Sequence, residues 1–590
     1  MSRTRAKPEL QVPERTPGPS VRRRLLLVVV LLGLASAGLL AQAVDLQVVH
    51  KRFYQEQGNA RFLREVPIPV SRGSIFDRNG VPLAVSTPVE SIWANPGELL
   101  EHSDRLPQLA RRLGIDPDEL EQSLEQRSGR DFVYLKRRMS PEAAHAILAL
   151  KIPGVNEQRE YRRYYPLGAV TAHVLGFTNI DDHGQEGLEL AYDKWLSGKA
   201  GIKRVIRDRL GHTVENVDLV RAPNPGHDLT LSIDRRIQYL AYRQLEETVR
   251  KYKAASASMV IMNPRNGEVL AMVNLPSYNP NAVGSSTASQ RRNRAVTDVV
   301  EPGATAKAFT VAAALESGKW TPTTKINTAP GYINLYGYTI RDDSDNGMLD
   351  VTGVITKSSN IGAAKIALSL KPQDMYDVFR SFGFGQSTDS GLPGESAGLL
   401  PVGSDWRPIR QATIGYGYGF SVTALQLAQA YSVIADGGVL HEPTFVKNGE
   451  SESRRVLSPR VAQEVTGMLK TVVEPGGTAF HTASIANFTV AGKTGTSHIA
   501  EDGGYSDSSY NSLFAGMVPA SHPRLVGVVI VRGAQGGYFG STVAAPVFST
   551  VMKGALRLLD IPPDNVPQLY ASSDGVAAED VAGAKAGSAP

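Results

Sequence analysis

The sequence predicts an α/β body whose central sheet is covered by helices on both faces, preceded by a mixed α+β region and one N-terminal apolar helix. Three observations point to that class. From His227 onward, strand-like, helical and again strand-like segments follow one another, the order of a layered α/β domain. Residues 45–226 instead mix short extended runs with helical periodicity. One strongly apolar stretch, Leu25 to Val44, has a bilayer-spanning length. At 590 residues the chain makes two or three domains, and 42% hydrophobic with 21% charged residues supplies ample core material. There is no internal repeat.

The first 24 residues hold seven Arg and Lys against two Glu and supply most of the net charge of +5. Arg22, Arg23 and Arg24 stand directly before LLLVVVLLGLASAGLLAQAV, whose twenty residues span roughly 30 Å at about 1.5 Å each. The positive-inside rule puts residues 1–24 in the cytoplasm, makes 25–44 an uncleaved transmembrane helix, and puts everything after Asp45 outside. A cleaved leader is the rival, because Ala41-Gln42-Ala43 has small residues at cleavage spacing; the apolar run and its basic lead are both long for one. Elsewhere charge is mixed, without a basic stripe interleaved with aromatics, which argues against nucleic acid as a partner. The absence of cysteine excludes thiolate catalysis, a disulfide framework and cysteine metal sites. The eleven histidines show no short ligand spacing, so His173 and His227 read as structural or surface residues and no metal is expected.

Residues 8–20 are proline-rich and polar, a disordered composition. Val66 to Ala94 alternates around Asp77-Arg78-Asn79-Gly80, a hairpin signal. Residues 98–150 carry helical periodicity, and Tyr161 to Gly198, which includes Glu186-Gly187-Leu188-Glu189, is rich in aromatics, glycine and charge. A strand-rich stretch ends at the turn Pro225-Gly226, which marks a boundary between a region at 45–226 and a second at 227–570. Past it come a strand, an Asp234 helix cap and a long helix, then two strands around Asn266-Gly267. Ala304 to Glu316 reads as a helix led by Pro302; residues 411–434 and 457–475 also have helical texture. LFAGMVP and RLVGVVIVRG supply late strands, and residues 571–590 are small, polar and predicted to be unstructured.

Three short motifs carry the chemistry. Lys493-Thr494-Gly495 follows the extended NFTVAG, and Gly492 and Gly495 leave room for a second backbone. On a strand edge, a lysine beside the Thr494 and Thr496 hydroxyls makes a seat for a carboxylate and leaves backbone groups free to pair an extended peptide. Ser358-Ser359-Asn360 taken alone is a helix cap or turn. In combination, the Ser358 hydroxyl can pass a proton and the Asn360 amide can orient a substrate backbone. Lys307 is the third element. A Ser-x-x-Lys pair on a helix brings an amine beside a hydroxyl, and a desolvated lysine can take the serine proton. This chain reads EPGATAKAFT, with Ala304 where the serine would stand, and no other lysine has a serine three residues before it. Thr305 is adjacent in sequence but points about 100° away on a helix and does not substitute.

ATAK, SSN and KTG in that order resemble the S-x-x-K, S-D-N and K-T-G signature of the penicillin-binding proteins. The surroundings TKSSNIG, GYGYGFSVTALQLAQAY, VVEPGGTA and VAGKTGTS are similar to the same family, and RGSIFDRNGVPLA and GLELAYDKWLSG look like two pedestal motifs of its class B members. STPVESIWANP is similar to the division (FtsI-like) branch, and the resemblance spans residues 20–570. It implies an α/β penicillin-binding transpeptidase fold, a central antiparallel sheet covered by helices with a helical subdomain, behind an elongated mixed α+β pedestal and one transmembrane helix. It also implies a peptidoglycan D,D-transpeptidase of the division septum that joins D-Ala to diaminopimelate through a serine acyl-enzyme.

Carried onto this chain, the resemblance puts Ala304 at the nucleophile position and matches Lys307 to the general base. Ser358 matches the proton shuttle and Asn360 the orienting amide; Lys493, Thr494, Gly495 and Thr496 lie beside the substrate carboxylate. The Ala304 and Thr496 backbone N–H groups match the oxyanion hole. No cofactor is implied. The implied partners are peptidoglycan stem peptides, β-lactams, and a SEDS-class division glycosyltransferase with other divisome membrane proteins. The implied location is the inner membrane, single-pass, with the catalytic domain periplasmic. Ala304 fits either an inactivating substitution or a native, catalytically silent scaffold or regulatory subunit. A β-lactamase or β-lactam sensor would lack the long pedestal, and a D,D-carboxypeptidase differs only in using water as acceptor. A glycosyltransferase domain is not expected in residues 45–225.

Overall fold

A computed structural model of the chain describes residues 19–49, 63–207, 213–501 and 504–566. The expectations for residues 1–18 and for the tail 571–590 lie outside the described residues. Helix α1 (Pro19–Val44) is a single uninterrupted helix with no part of its apolar window buried in the protein. It runs without a break through Ala41-Gln42-Ala43. The helix is a single-pass membrane anchor, and the folded regions after it are periplasmic.

Between the anchor and His227, strand Pro82–Ala94 is the spine of the pedestal. It pairs antiparallel with Ile75–Phe76, Val133–Met139 and Val155–Tyr164. The hairpin predicted at Asp77–Gly80 is present: Asp77 Oδ1 accepts the amides of Asn79 and Val81, and Gly80 takes φ +79. The helical reading of 98–150 holds for four short helices and fails at Val133–Met139. That segment pairs with Pro82–Ala94 instead, and strand pairing overrides local periodicity.

The two pedestal motifs are tied together by buried charge. Arg72 Nε meets Glu189 Oε2 at 2.6 Å, and its Nη1 reaches Asp193 Oδ1 at 2.7 Å and Ser197 Oγ at 2.8 Å. Arg163 Nε takes the other Glu189 oxygen at 2.6 Å. Glu189, fully buried, thus bridges two arginines, Arg72 from the loop before Ile75–Phe76 and Arg163 from the strand Val155–Tyr164.

The second region is built on a five-stranded antiparallel sheet. Its strands are β1 (Ser256–Met262), β2 (Val269–Leu275), β3 (Ala491–Glu501), β4 (Gly504–Val518) and β5 (Leu525–Arg532), ordered β2-β1-β5-β4-β3. Strand β1 is buried over its whole length, Ser256 and Ser258 included. Helix α2 (Arg235–Tyr252) opens on Asp234, whose side chain accepts the Arg236 amide as the sequence predicts. It packs with α3 (Ala545–Leu558) over one face of the sheet, while α4 (Ala424–Ala435), buried at every residue, covers the other.

The helical texture read over 411–434 belongs to two helices, Pro408–Gly415 and α4, separated by a glycine turn. Gly417 (φ +98) forces the break: a Cβ there would lie 1.8 Å from the Gly303 carbonyl oxygen. The same turn brings Tyr418 and Gly419 beside the segment around Ala304.

Replacing Glu189 by Gln should leave two buried arginines short of charge. We expect the loss of about 3–5 kcal/mol usual for a broken buried pair, read by urea unfolding with tryptophan fluorescence. An unchanged transition would show that this network does not hold the pedestal.

Candidate active site

The three motifs arrive at one cleft on different elements. Residues Gly303–Ala306 form a 3-10 turn that runs directly into the α-helix Lys307–Glu316. Side chains three apart are eclipsed in a 3-10 turn, so position 304 stands over Lys307 more directly than α-helical spacing would place it. Every residue from Pro302 to Leu315 is buried except Ala304. The Ala304 amide finds no acceptor among the described residues. Thr305 is no stand-in for a missing hydroxyl: it is fully buried and donates to the Pro302 carbonyl at 2.7 Å.

Ser358 and Asn360 flank a helix start. Ser359, between them, caps the helix Asn360–Leu368 by accepting the Gly362 amide, and its hydroxyl donates to Asp342 Oδ2 at 2.5 Å. The capping reading of Ser-x-Asn therefore describes the middle residue, and this frees its neighbours. Ser358 adopts φ +60, a left-handed conformation that costs a non-glycine residue about 1–3 kcal/mol. Asp342 Oδ1 accepts the Ile361 amide at 3.0 Å and so pins the same turn from outside.

Lys307 Nζ donates to Ser358 Oγ at 3.1 Å, to Asn360 Oδ1 at 2.7 Å and to the Ser358 carbonyl. Lys493 Nζ, arriving from edge strand β3, reaches the same Ser358 Oγ at 2.9 Å. Two fully buried lysines thus share one hydroxyl. Burial pushes the Lys307 amine down from 10.5 to about 7, with Asp342 and Asp343 opposing the shift. Burial also lowers Lys493 well below its ordinary value; the Lys307 charge adds to the fall and Asp343 opposes it. Sequence reasoning reached each of these lysines. The structure turns the Lys493 ammonium inward, toward Ser358 and the Thr494 carbonyl at 3.2 Å, instead of toward an incoming carboxylate. The Asn360 amide nitrogen is likewise partly engaged, donating to the Arg341 carbonyl at 2.9 Å.

Along β3, Thr494, Thr496 and His498 alternate to one face while Lys493, Gly495 and Ser497 turn to the other. Thr496 Oγ1 accepts the Gly540 amide at 3.1 Å, which leaves its hydroxyl proton available. Thr494 Oγ1 meets Thr478 Oγ1 at 3.2 Å. The Thr496 carbonyl points away from β4 to the Tyr418 hydroxyl, and N–H and C=O of one strand residue face the same side. The Thr496 amide therefore faces the cleft. Gly495 has no room for a side chain: a Cβ would come within 2.9 Å of the Pro302 carbonyl and of Thr305. Strand and 3-10 turn touch there.

Asp342, Tyr418, Thr478 and Glu301 complete the cleft; sequence reasoning singled out none of them, although Glu301, Tyr418 and Thr478 lie inside the family-like segments EPGATAKAFT, GYGYGFSVTALQLAQAY and VVEPGGTA. For Asp342 the signal was the run Asp342-Asp343-Ser344-Asp345, an acidic cluster in an otherwise mixed segment. No group of three or more His, Asp or Glu with metal-binding arrangement occurs among the described residues.

The penicillin binding protein transpeptidase domain model matches residues 257–553, and the penicillin-binding protein dimerisation domain model matches 67–231. The chain belongs to the penicillin-binding protein transpeptidases. It is 43% identical over 554 residues to the probable peptidoglycan D,D-transpeptidase PbpC of Pseudomonas aeruginosa, covering 93% of this chain and 98% of that one. It is 41% identical over 539 residues to the peptidoglycan D,D-transpeptidase FtsI of Escherichia coli K12, covering 90% and 91%. Among solved structures, the apo transpeptidase domain of Burkholderia pseudomallei penicillin-binding protein 3 matches with 42% identity and a TM-score of 0.53, over 57% of this chain and 98% of that one. Penicillin binding protein 3 of Mycobacterium tuberculosis, solved with aztreonam, matches with 28% identity and a TM-score of 0.63, over 84% and 98%. Ala304, three residues before Lys307, lies within the span that the transpeptidase model matches.

The Lys307 titration should be visible by NMR of lysine labelled at Cε. A midpoint near 7 is expected, with the amine neutral above it, so any proton-accepting role grows as pH rises through that value. Asp342→Asn removes the carboxylate that favours the charged amine, and the midpoint should then fall further. A midpoint near 10.5 would contradict the burial.

Proposed function

We propose that this chain is a division-type peptidoglycan D,D-transpeptidase scaffold, held at the unacylated stage because Ala304 occupies the nucleophile position. The observation that carries this reading is the single hydroxyl, Ser358 Oγ, shared by Lys307 and Lys493 beneath the one partly exposed residue of the 3-10 turn. An amine lowered to about 7 suits a group that takes a proton from a serine at neutral pH.

With serine at 304, its Oγ would attack the carbonyl of the penultimate D-Ala of a stem pentapeptide while Lys307 accepts its proton. The Ala304 and Thr496 amides would hold the oxyanion. The terminal D-Ala would leave as an amine protonated through Ser358 and the two lysines. A diaminopimelate amine of a neighbouring stem would then attack the ester, reform the serine and complete the cross-link. The names of relatives such as FtsI, a peptidoglycan D,D-transpeptidase, support the substrate class. The penicillin-binding family name supports β-lactams as mimics of the D-Ala-D-Ala end; the setting that goes with this reading is a division complex with a membrane glycosyltransferase. Ala304 itself supports the second reading, a silent scaffold that binds stem peptides for the division complex without joining them.

Incubation with penicillin followed by intact-protein mass spectrometry tests the assignment. The chain as it stands should stay unmodified, and Ala304→Ser should gain one penicillin mass; an adduct on the unaltered chain would place the nucleophile elsewhere. Removing one hydroxyl takes away a covalent step but leaves ground-state contacts in place. Thr496→Ala should therefore weaken noncovalent binding of a D-Ala-D-Ala peptide by about 1–3 kcal/mol, the usual worth of a hydrogen bond to a charged group. Calorimetry giving equal affinities would move the carboxylate seat away from Thr496.

A further inference from the structure

Glu301, three residues ahead of Ala304, has no task in the chemistry above. Its Oε1 accepts the Gly419 amide at 2.7 Å and the Tyr505 hydroxyl at 2.9 Å. Its Oε2 is buried and has no hydrogen-bond partner among the described residues. No arginine or lysine pairs with Glu301 among those residues. Burial pushes its carboxyl up, while the Gly419 amide, the Tyr505 hydroxyl and His498 oppose the shift. Tyr505 belongs to a chain of aromatic rings: Tyr416 and Tyr418 lie 5.8 Å apart, Tyr418 and Tyr505 6.0 Å, and Tyr505 and His498 6.3 Å.

This cluster adjoins the reacting end of the cleft. The Tyr418 hydroxyl lies 3.5 Å from the Thr496 carbonyl, and the Glu301 carbonyl accepts Ser497 Oγ at 2.8 Å. Tyr505, on the β3–β4 hairpin, is half exposed, so its ring can turn outward without opening the core. A carboxylate with an unused oxygen, without an ion-pair partner among the described residues and next to the tyrosine cluster, is matched to an organic ammonium ion. The ring faces attract the charge, and the carboxylate accepts its N–H groups.

We infer that Glu301, with Tyr418 and Tyr505, recognises a primary ammonium group of the stem peptide, which replaces the Tyr505 hydroxyl at the carboxylate. The inference rests on the transpeptidase reading, because it requires a stem peptide in this cleft. That peptide offers the same amine from two sources: the side chain of the donor strand, or the acceptor strand that attacks the acyl-enzyme.

Calorimetry on the Ala304 chain with four synthetic peptides separates them. Two are stem pentapeptides ending in D-Ala-D-Ala, with the diaminopimelate side-chain amine free or N-acetylated. Two are stem tripeptides lacking D-Ala-D-Ala, again free or acetylated. At least one pair should favour the free amine by about tenfold, the worth of one charge-assisted contact, and which pair it is names the donor or the acceptor. Glu301→Gln keeps an acceptor for Gly419 and Tyr505 but loses the charge, and should bring that ratio to within about twofold. Tyr505→Phe, which frees Oε1 and keeps the charge, should preserve the preference and shows that the pocket survives substitution. Equal affinities in both pairs, or a preference unaffected by Glu301→Gln, would overturn the inference even if Ala304→Ser takes up penicillin. Failure of all four peptides to bind, with no penicillin adduct on Ala304→Ser, would instead overturn the transpeptidase reading and this inference with it.

Discussion

Two buried ammonium groups converge on the hydroxyl of Ser358, and much of the surrounding structure serves that arrangement. Each lysine loses its hydration shell, at an effective cost of several kcal/mol per ion in a real protein. Lys307 recovers part of this through Asn360 and the Ser358 carbonyl, and Lys493 through Thr494. What the hydrogen bonds do not recover appears as lowered proton affinity, and an amine poised near neutrality is more useful in acid–base chemistry than one fixed as a cation. Two like charges in contact with one hydroxyl also disfavour each other, so the pair does not readily hold both protons.

Holding that hydroxyl still needs support from outside the motifs. Ser358 is kept at φ +60 because Ser359 caps the next helix and Asp342 binds both Ser359 and the Ile361 amide. On the other wall, Gly303, Gly417 and Gly495 let the 3-10 turn, the tyrosine loop and edge strand β3 meet backbone to backbone. None of these contacts involves the side chain of residue 304. The cleft is therefore assembled without any contribution from the side chain at 304, as the proposed role of that position as a reacting group requires.

Much of this was legible in the sequence where a local rule governs the outcome. Asp234 as a helix cap, the Asn266-Gly267 turn, the Asp77–Gly80 hairpin and the extended setting of Lys493 each depend on a few neighbouring residues. The ordered motifs added what no local rule gives, the convergence of Lys307, Ser358 and Lys493 across more than 180 residues. Segments whose state is fixed by distant partners were not legible. Val133–Met139 became a strand by pairing with Pro82–Ala94, and the helical texture of 411–434 is divided where Gly417 lies against Gly303. Asp342, Tyr418 and Glu301 act through contacts 17 to 118 residues away in sequence, so even Glu301, which lies within EPGATAK, shows its part only in the fold.

The central claim is that this chain carries a complete acylation apparatus lacking one oxygen atom. The most direct measurement is the second-order rate constant for penicillin acylation of Ala304→Ser, compared with the same variant further changed at Lys307→Ala or Ser358→Ala. If the shared hydroxyl is the proton path, either added change lowers the rate about a thousandfold or more, and the two together cost far less than the product of the separate losses. Acylation of the Lys307→Ala double variant within about tenfold of Ala304→Ser would contradict the account.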